Sequence, residues 1–485
     1  MKTMNLARLL MTGFVLMGPV SARAQNDSAM NAVVQRFERL ERQNADLRDQ
    51  LERQNAELRE EVRLIRQELA SFKQAGADGT ASTSDGALST AARIDALEEK
   101  VELNAGRLSE QDQVKVESSQ RAPLRVTGMA LFDMYANGRH GGTNDYSGVA
   151  QVNRGPINSG ASLRGSVIGL AFDSPKAVLG GQVQGSVLLD LFGGTNFGSS
   201  TLNLFLQPRL RIASVEGRWG TRSILLGQDK VIFSPREPDS LAAHAISPLA
   251  GAGNLYGWRP QIRFEQTVGL GANQEVRAQI GVVETFEDWP LIQPEFASTL
   301  EVRRPALEGH FQFSHRFDDD RRFEIGPGFH WSTSHVASTS IPATLFSVDG
   351  FVKPVRWLEL TGFAYTGKNV GTMTGGRMFY GFTILRPRPG EIQAIPVRQR
   401  GGWAQATFLA TPRLSFNVQT GLQDPDDDDL LDTAVSRNAA YLANAYYRIA
   451  PNVIGGFELS QVRTRYKAGQ RPQNNHFDLY LAYMF

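Results

Sequence analysis

Arg259 and Arg263 stand on a short stretch, Arg259-Pro260-Gln261-Ile262-Arg263-Phe264-Glu265, in which Ile262 and Phe264 take the opposite parity. Successive side chains of a strand point to opposite faces, so Arg259, Gln261 and Arg263 share one face. Arg277 faces the same way on the next alternating stretch, where Glu275, Arg277 and Gln279 oppose Val276, Ala278 and Ile280. These three arginines are the first candidates for a charged constriction. Arg209 and Arg211, opposing Leu210 and Ile212, and Arg236, in the run Ser234-Pro235-Arg236-Glu237-Pro238-Asp239, form a second set; Arg125 takes the polar side of the first alternating stretch. Guanidinium forks match carboxylates in paired geometry, and arginines lining a water-filled space attract anions. The competing reading is structural, with the arginines paired to Glu265, Glu275 and Asp190 to stiffen a wall.

Those arginines need rigid alternating elements, and the chain supplies them from Leu124 onward. Leu124, Val126, Ala130, Phe132 and Met134 oppose Arg125, Thr127, Asp133 and Tyr135, and the same grammar returns around Phe311, Phe416 and Tyr441. The last stretch puts Phe477, Leu479, Leu481, Tyr483 and Phe485 on one parity and Asp478 and Tyr480 on the other. Apolar-out, polar-in alternation with aromatic strand ends is the pattern of a transmembrane barrel with a wet interior. Connections alternate too: short at 174–176, 220–222, 318–320, 353–355, 411–413 and 450–452, long at 137–160, 194–207, 233–257, 286–303, 335–343, 368–400, 423–437 and 467–473. Seventeen segments have strand character, but Met378 to Leu385 breaks the order of the loops. Setting it aside leaves sixteen antiparallel strands, wide enough for an aqueous channel, with both ends of the barrel on one side.

The region before the barrel reads differently. Lys2 and Arg8 precede an apolar core from Leu9 to Val20, and Ala22-Arg23-Ala24 is an export cleavage site, so 1–24 is expected to be a signal peptide. Residues 25–75 hold an eleven-residue repeat, with Leu40, Leu51 and Val62 in one row and Leu47, Leu58 and Leu69 in another. An eleven-residue period predicts a nearly straight or slightly right-handed α-helical coiled coil, and so narrow a stripe needs partner chains. A flexible linker follows over 76–89, a weaker coiled-coil segment over 90–122, and the barrel over 123–485.

Composition excludes several classes. A net charge of +1 gives no case for nucleic acid, and the absence of cysteine excludes disulfides and thiolate metal sites. Asp424 and Asp426 to Asp429 lack the glycine and spaced ligands of a calcium loop and read as a solvated charge cluster. No cofactor and no metal is expected. No Ser/His pair on a spacing that argues for nucleophilic catalysis is present, so the chain does not read as an enzyme.

Several short blocks, in order, carry a resemblance: Val215-Glu216-Gly217-Arg218-Trp219, Leu226-Gly227-Gln228, Glu237-Pro238-Asp239-Ser240-Leu241, Arg259-Pro260-Gln261-Ile262-Arg263, Gly367-Lys368-Asn369, Gly401-Gly402-Trp403-Ala404-Gln405 and Gly456-Phe457-Glu458-Leu459-Ser460. With them the chain resembles the DcaP-like trimeric porins of Gram-negative outer membranes. It departs from that pattern at Gln228-Asp229-Lys230, where a Gln-Thr-Trp-like run is commoner. The resemblance implies a homotrimer of sixteen-stranded barrels in outer-membrane lipid, a periplasmic N-terminal coiled coil and uptake of small anions such as dicarboxylates. By analogy with porins of this size, loop 233–257 would fold into the lumen and narrow it. A second reading is an envelope tether, whose stalk contacts cell wall or a periplasmic partner while the barrel anchors it.

Overall fold

The computed structural model describes residues 124–485 apart from 143–144, 175–178, 194–206, 244–245, 288–293, 338, 374–378 and 386–391. The signal peptide, both coiled-coil segments and the linker lie outside the described residues. Nineteen strands follow: β1 (Leu124–Asn137), β2 (Asn158–Ser162), β3 (Val167–Asp173), β4 (Gln182–Asp190), β5 (Arg209–Trp219), β6 (Arg222–Lys230), β7 (Trp258–Gly271), β8 (Gln274–Phe286), β9 (Arg303–Arg316) and β10 (Arg322–Val336), then β11 (Thr339–Val355), β12 (Leu358–Lys368), β13 (Phe382–Leu385), β14 (Gln393–Pro396), β15 (Arg398–Leu409), β16 (Leu414–Pro425), β17 (Val435–Ala450), β18 (Val453–Tyr466) and β19 (Gln473–Met484).

Seventeen of these form one sheet closed on itself. Strands β2 and β3 both lie along β1, β2 against Asp133–Asn137 and β3 against Leu124–Met129, so together they make one interrupted stave. The barrel therefore has the sixteen antiparallel staves expected. Closure comes from the last strand, which pairs with the first in the register Leu131↔Ala482, Asp133↔Tyr480 and Tyr135↔Asp478. The Phe485 carbonyl then accepts from Gly128 N at 2.8 Å. The segment set aside from the stave count contributes β13, which pairs with β14 in a two-stranded sheet separate from the barrel sheet. One connection differs from expectation. The long loop read over 335–343 is a tight turn, because β10 and β11 stay paired up to Val336↔Thr339. Thr333, Ser334, His335 and Ser340 are polar on both parities, which is why this extension reads as loop in the sequence.

Burial separates the two faces. Phe477, Leu479, Leu481 and Tyr483 are exposed, whereas Asp478, Tyr480 and Ala482 between them are buried. The same outward exposure holds for Phe132, Ile262, Ile280, Phe311, Val418 and Tyr447 around the ring. An outer apolar band on a closed barrel, whose strands are paired to neighbours on both sides, is the kind of surface that a bilayer covers. The inner face departs from simple polarity. Leu345, Phe363, Tyr365, Trp403 and Leu442 point inward and are buried in one apolar cluster with Val231, Phe233, Leu249 and Leu255. Those last four belong to the long connection between β6 and β7.

Candidate pore constriction

That connection, residues 231–257, closes at its neck through Val231 N donating to the Gly257 carbonyl at 3.1 Å. It leaves the wall between β6 and β7 and docks on β15 to β18, half-way round the ring. Its root is pinned near β9 to β11. Ile232 N donates to Glu308, whose other oxygen meets His330 Nδ1 at 2.9 Å, and Ser347 Oγ donates to the Phe233 carbonyl at 2.8 Å. Behind them, buried Arg304 joins Ser332 to Glu287, which also accepts from Asn369. Burying a phenyl ring such as that of Phe233, 1% exposed, contributes roughly 2–3 kcal/mol.

The far contacts are mostly backbone. The Asp239 carbonyl accepts from Gln419 and Asn444, Asp239 N donates to Gln405, and Asn438 donates to the Gly251 carbonyl. Gly253 has φ of +93° and lies against the bare backbone of Gly402 and Leu422, and Ala252 lies likewise against Gly421. Glycine is needed on these surfaces because a side chain would occupy the space of the opposing chain. The loop is thus a span fixed at both ends.

Segment 239–243 of the loop lies over a row of acids. Asp133, Glu458 and Asp478 face inward on β1, β18 and β19 and are 4%, 2% and 2% exposed. Ser240 Oγ donates to Glu458 at 2.6 Å, while Leu241 and Ala242 pack on Leu131 and Tyr480. The acidic wall is shut off from the lumen.

The arginines are arranged differently. Arg236, on the loop, splits its guanidinium between Asp349 at 2.7 Å and Glu324 at 2.5 Å. Arg209 holds Asp190 with both Nε and Nη2, and Arg211 stands 3.8 Å from the same carboxylate and 4.4 Å over the Trp258 ring. Arg263 pairs with Asp229 at 3.0 Å, and Arg277 donates to Gln312 at 2.9 Å. Arg259 stacks at 3.9 Å over the Phe286 ring and has no ion pair among the described residues. Arg125 lies apart from all of these, in an exposed pair with Asp173 near the short-turn end. Of the carboxylates weighed as wall partners, Asp190 takes Arg209 and Arg211, whereas Glu265 accepts from Gln279.

Within several pairs the cation is the exposed member. The Arg209 side chain is 30% exposed and Asp190 0%. For Lys230 and Glu237 the values are 44% and 19%, and for Arg236 and Asp349, 16% and 1%. Arg263 and Asp229 are even, at 15% and 18%. Burial by itself raises the Glu237 pKa, but Lys230, Ser247 and Arg211 outweigh it and hold the carboxyl below its ordinary range. Asp239, buried in the loop, is pushed up instead.

Two basic residues escaped the sequence reading. Arg164 lies in the break between β2 and β3, paired with Asp145 at 3.2 Å and stacked at 3.6 Å on Phe192. Lys230 ends β6, where alternation fades at positive-φ Gly227. Neither belongs to a clean period. Around Asp424 to Asp429 the expected solvated cluster is ion-paired: Arg400 and Arg437 share Asp424, Arg465 takes Asp427, and Arg398 reaches Asp426 and Asp429.

The chain is a closed antiparallel barrel of sixteen staves with a loop anchored across its lumen. The solved structure of the DcaP outer membrane channel of Acinetobacter baumannii has this fold: it matches 76% of this chain and 99% of its own length, at a TM-score of 0.59 and 15% identity. That bears out the resemblance read from the sequence blocks. The anion-selective porin from Comamonas acidovorans matches 75% of this chain and all of its own, at 0.49 and 10%, and OprB of Pseudomonas putida matches 79% and 97%, at 0.48 and 10%. No protein-family model and no curated sequence matches the chain.

Proposed function

We propose that this chain is an outer-membrane porin that passes small hydrophilic, carboxylate-bearing anions by passive diffusion beside the loop 231–257. The observation that carries this reading is the unequal exposure within the inner ion pairs. In the Arg209–Asp190, Lys230–Glu237 and Arg236–Asp349 pairs the cation meets the water and the carboxylate lies behind it or under the loop. A permeating anion at the constriction meets Arg259, Arg263, Arg236 and Arg209 with Lys230, while Arg211 and Arg277 hold positive charge in the wall beside them. Arg125, at the short-turn end, is outside the constriction.

The likeness to the DcaP channel supports a channel role, and the outer apolar band supports a place in a bilayer. Short turns would then face the periplasm and long loops the exterior. A homotrimer, with the N-terminal coiled coil in the periplasm, fits the resemblance.

The test is a planar bilayer under a salt gradient. The reversal potential should report anion preference, and Arg259→Gln with Arg263→Ala should reduce it. Cation preference in the unaltered protein would sink the proposal.

A further inference from the structure

Two cavities lie one above the other on the outer face of β11, β12 and β15 to β18. The one nearer the long loops, about 900 Å³, is lined by Lys368, Arg398, Arg400, Arg437 and Arg465, with Asp424, Asp426 and Asp427 among them. Below it is an apolar trough of about 1110 Å³, floored by Gly350, Gly362, Ala364, Ala404, Ala406 and Ala443. Parity puts this floor outside: Ala364 and Ala404 are exposed, and Phe363 and Trp403 beside them are buried.

The charges above the trough do not balance. Asp424 serves two arginines. Lys368 has no carboxylate partner, and Arg463 only donates to Gln461 and lies 5.3 Å over the Tyr441 ring, both among the described residues. Cations on this face outnumber carboxylates even with exposed Asp428 counted. Cations on a wall facing hydrocarbon need an anion beside them, and phosphate accepts guanidinium forks in paired geometry. A floor of glycine and alanine, its backbone already paired within the sheet, offers depth for straight acyl chains and no competing donors.

We infer that this face holds a phosphorylated, multiply acylated lipid of the surrounding leaflet, with its phosphates at Lys368, Arg400 and Arg463 and its chains in the trough. A second copy of the chain fits less well. Other outward charges toward the long loops, Glu284 with Arg303 and Glu301 with His335, are already paired and offer no acidic counterpart. The inference rests on the outer-membrane reading, with the long loops outside.

Native mass spectrometry of the full chain in detergent, with diphosphoryl lipid A as the probe, tests it. Lys368 and Arg463 lie outside the ion pairs, so the Lys368→Gln/Arg463→Gln double substitution leaves the barrel folded. Saturable binding is expected, weakened about tenfold or more in that variant or on removing both phosphates from the probe. Ala404→Phe, which fills the trough, should weaken it as well, and inorganic phosphate should not displace the lipid. Equal binding by wild type and double variant, or displacement by inorganic phosphate alone, overturns the assignment. So does a changed oligomeric state in Ala404→Phe with lipid A binding intact, which would give the face to a second copy. Lipid A binding that is absent from a preparation still conducting anions overturns this inference alone. Binding without any conductance overturns the porin reading instead.

Discussion

A Cβ placed on Gly253 would lie 2.5 Å from the backbone nitrogen of Gly402, so the loop tip rests on the bare wall of β15. The contact tolerates no added methyl. Gly253→Ala also forces a side chain onto a φ of +93°, and overpacking of this kind costs about 1–3 kcal/mol. The variant is expected to unfold at lower temperature and, with the loop lifted, to show a larger single-channel conductance. Unchanged conductance would mean that the tip does not set the width.

Arg236→Ala removes the shared partner of Asp349 and Glu324, two largely buried carboxylates, and leaves Asp349 with His310 and Glu324 with Arg322 and Gln312. Breaking such a pair costs about 3 kcal/mol or more when both groups are buried, and somewhat less here, where Arg236 keeps contact with water. The barrel should lose stability and anion preference together. Arg236→Ala with Asp349→Asn should recover part of the stability and none of the selectivity, as read by thermal unfolding and reversal potential.

Arg259 separates those two effects. It stacks on Phe286 with no ion pair among the described residues, so Arg259→Gln should leave thermal unfolding nearly unchanged while lowering the anion-to-cation permeability ratio. A large fall in stability instead would make it a structural arginine.

Acid acts through Glu237. Its carboxyl lies below the ordinary 4.5 in the folded protein. A depressed folded pKa contributes stability that is present above the unfolded value and lost as pH falls through the folded one. The 2.6 Å tie to Lys230 should therefore persist at about pH 5 and fail only in stronger acid. Current noise from a loosened loop should appear only below that point, and Glu237→Gln should show it at neutral pH.

The sequence carried the strands further than the lumen. Parity, taken with the aromatic strand ends and the export signal, put Phe477 outside and Asp478 inside, and the break in loop order correctly set aside the segment that holds β13. The inner docking surface was not legible, because Phe363, Tyr365, Trp403 and Leu442 are apolar on the face that a water-filled barrel should keep polar. Only the loop that covers them explains their type, and that contact spans most of the barrel domain. The facing of Arg209 and Arg211 followed from alternation, and their pairing with Asp190 was weighed there as the structural alternative; the bulge between Leu188 and Leu189 that sets their register was not visible. Arg164 had no period to reveal it.

The loop 231–257 is a chord across a ring, fastened at Ile232 and Phe233 on one side and at Asp239 and Gly253 on the other. A free ring can flatten into an ellipse under lateral pressure, but a braced one cannot shorten along its chord without buckling the brace. The aperture of this barrel is therefore tied mechanically to its girth. On the proposed porin reading, squeezing the wall at β16 and β17 would act on the arginines beside β6 and β7, and bilayer tension would become an input to permeation.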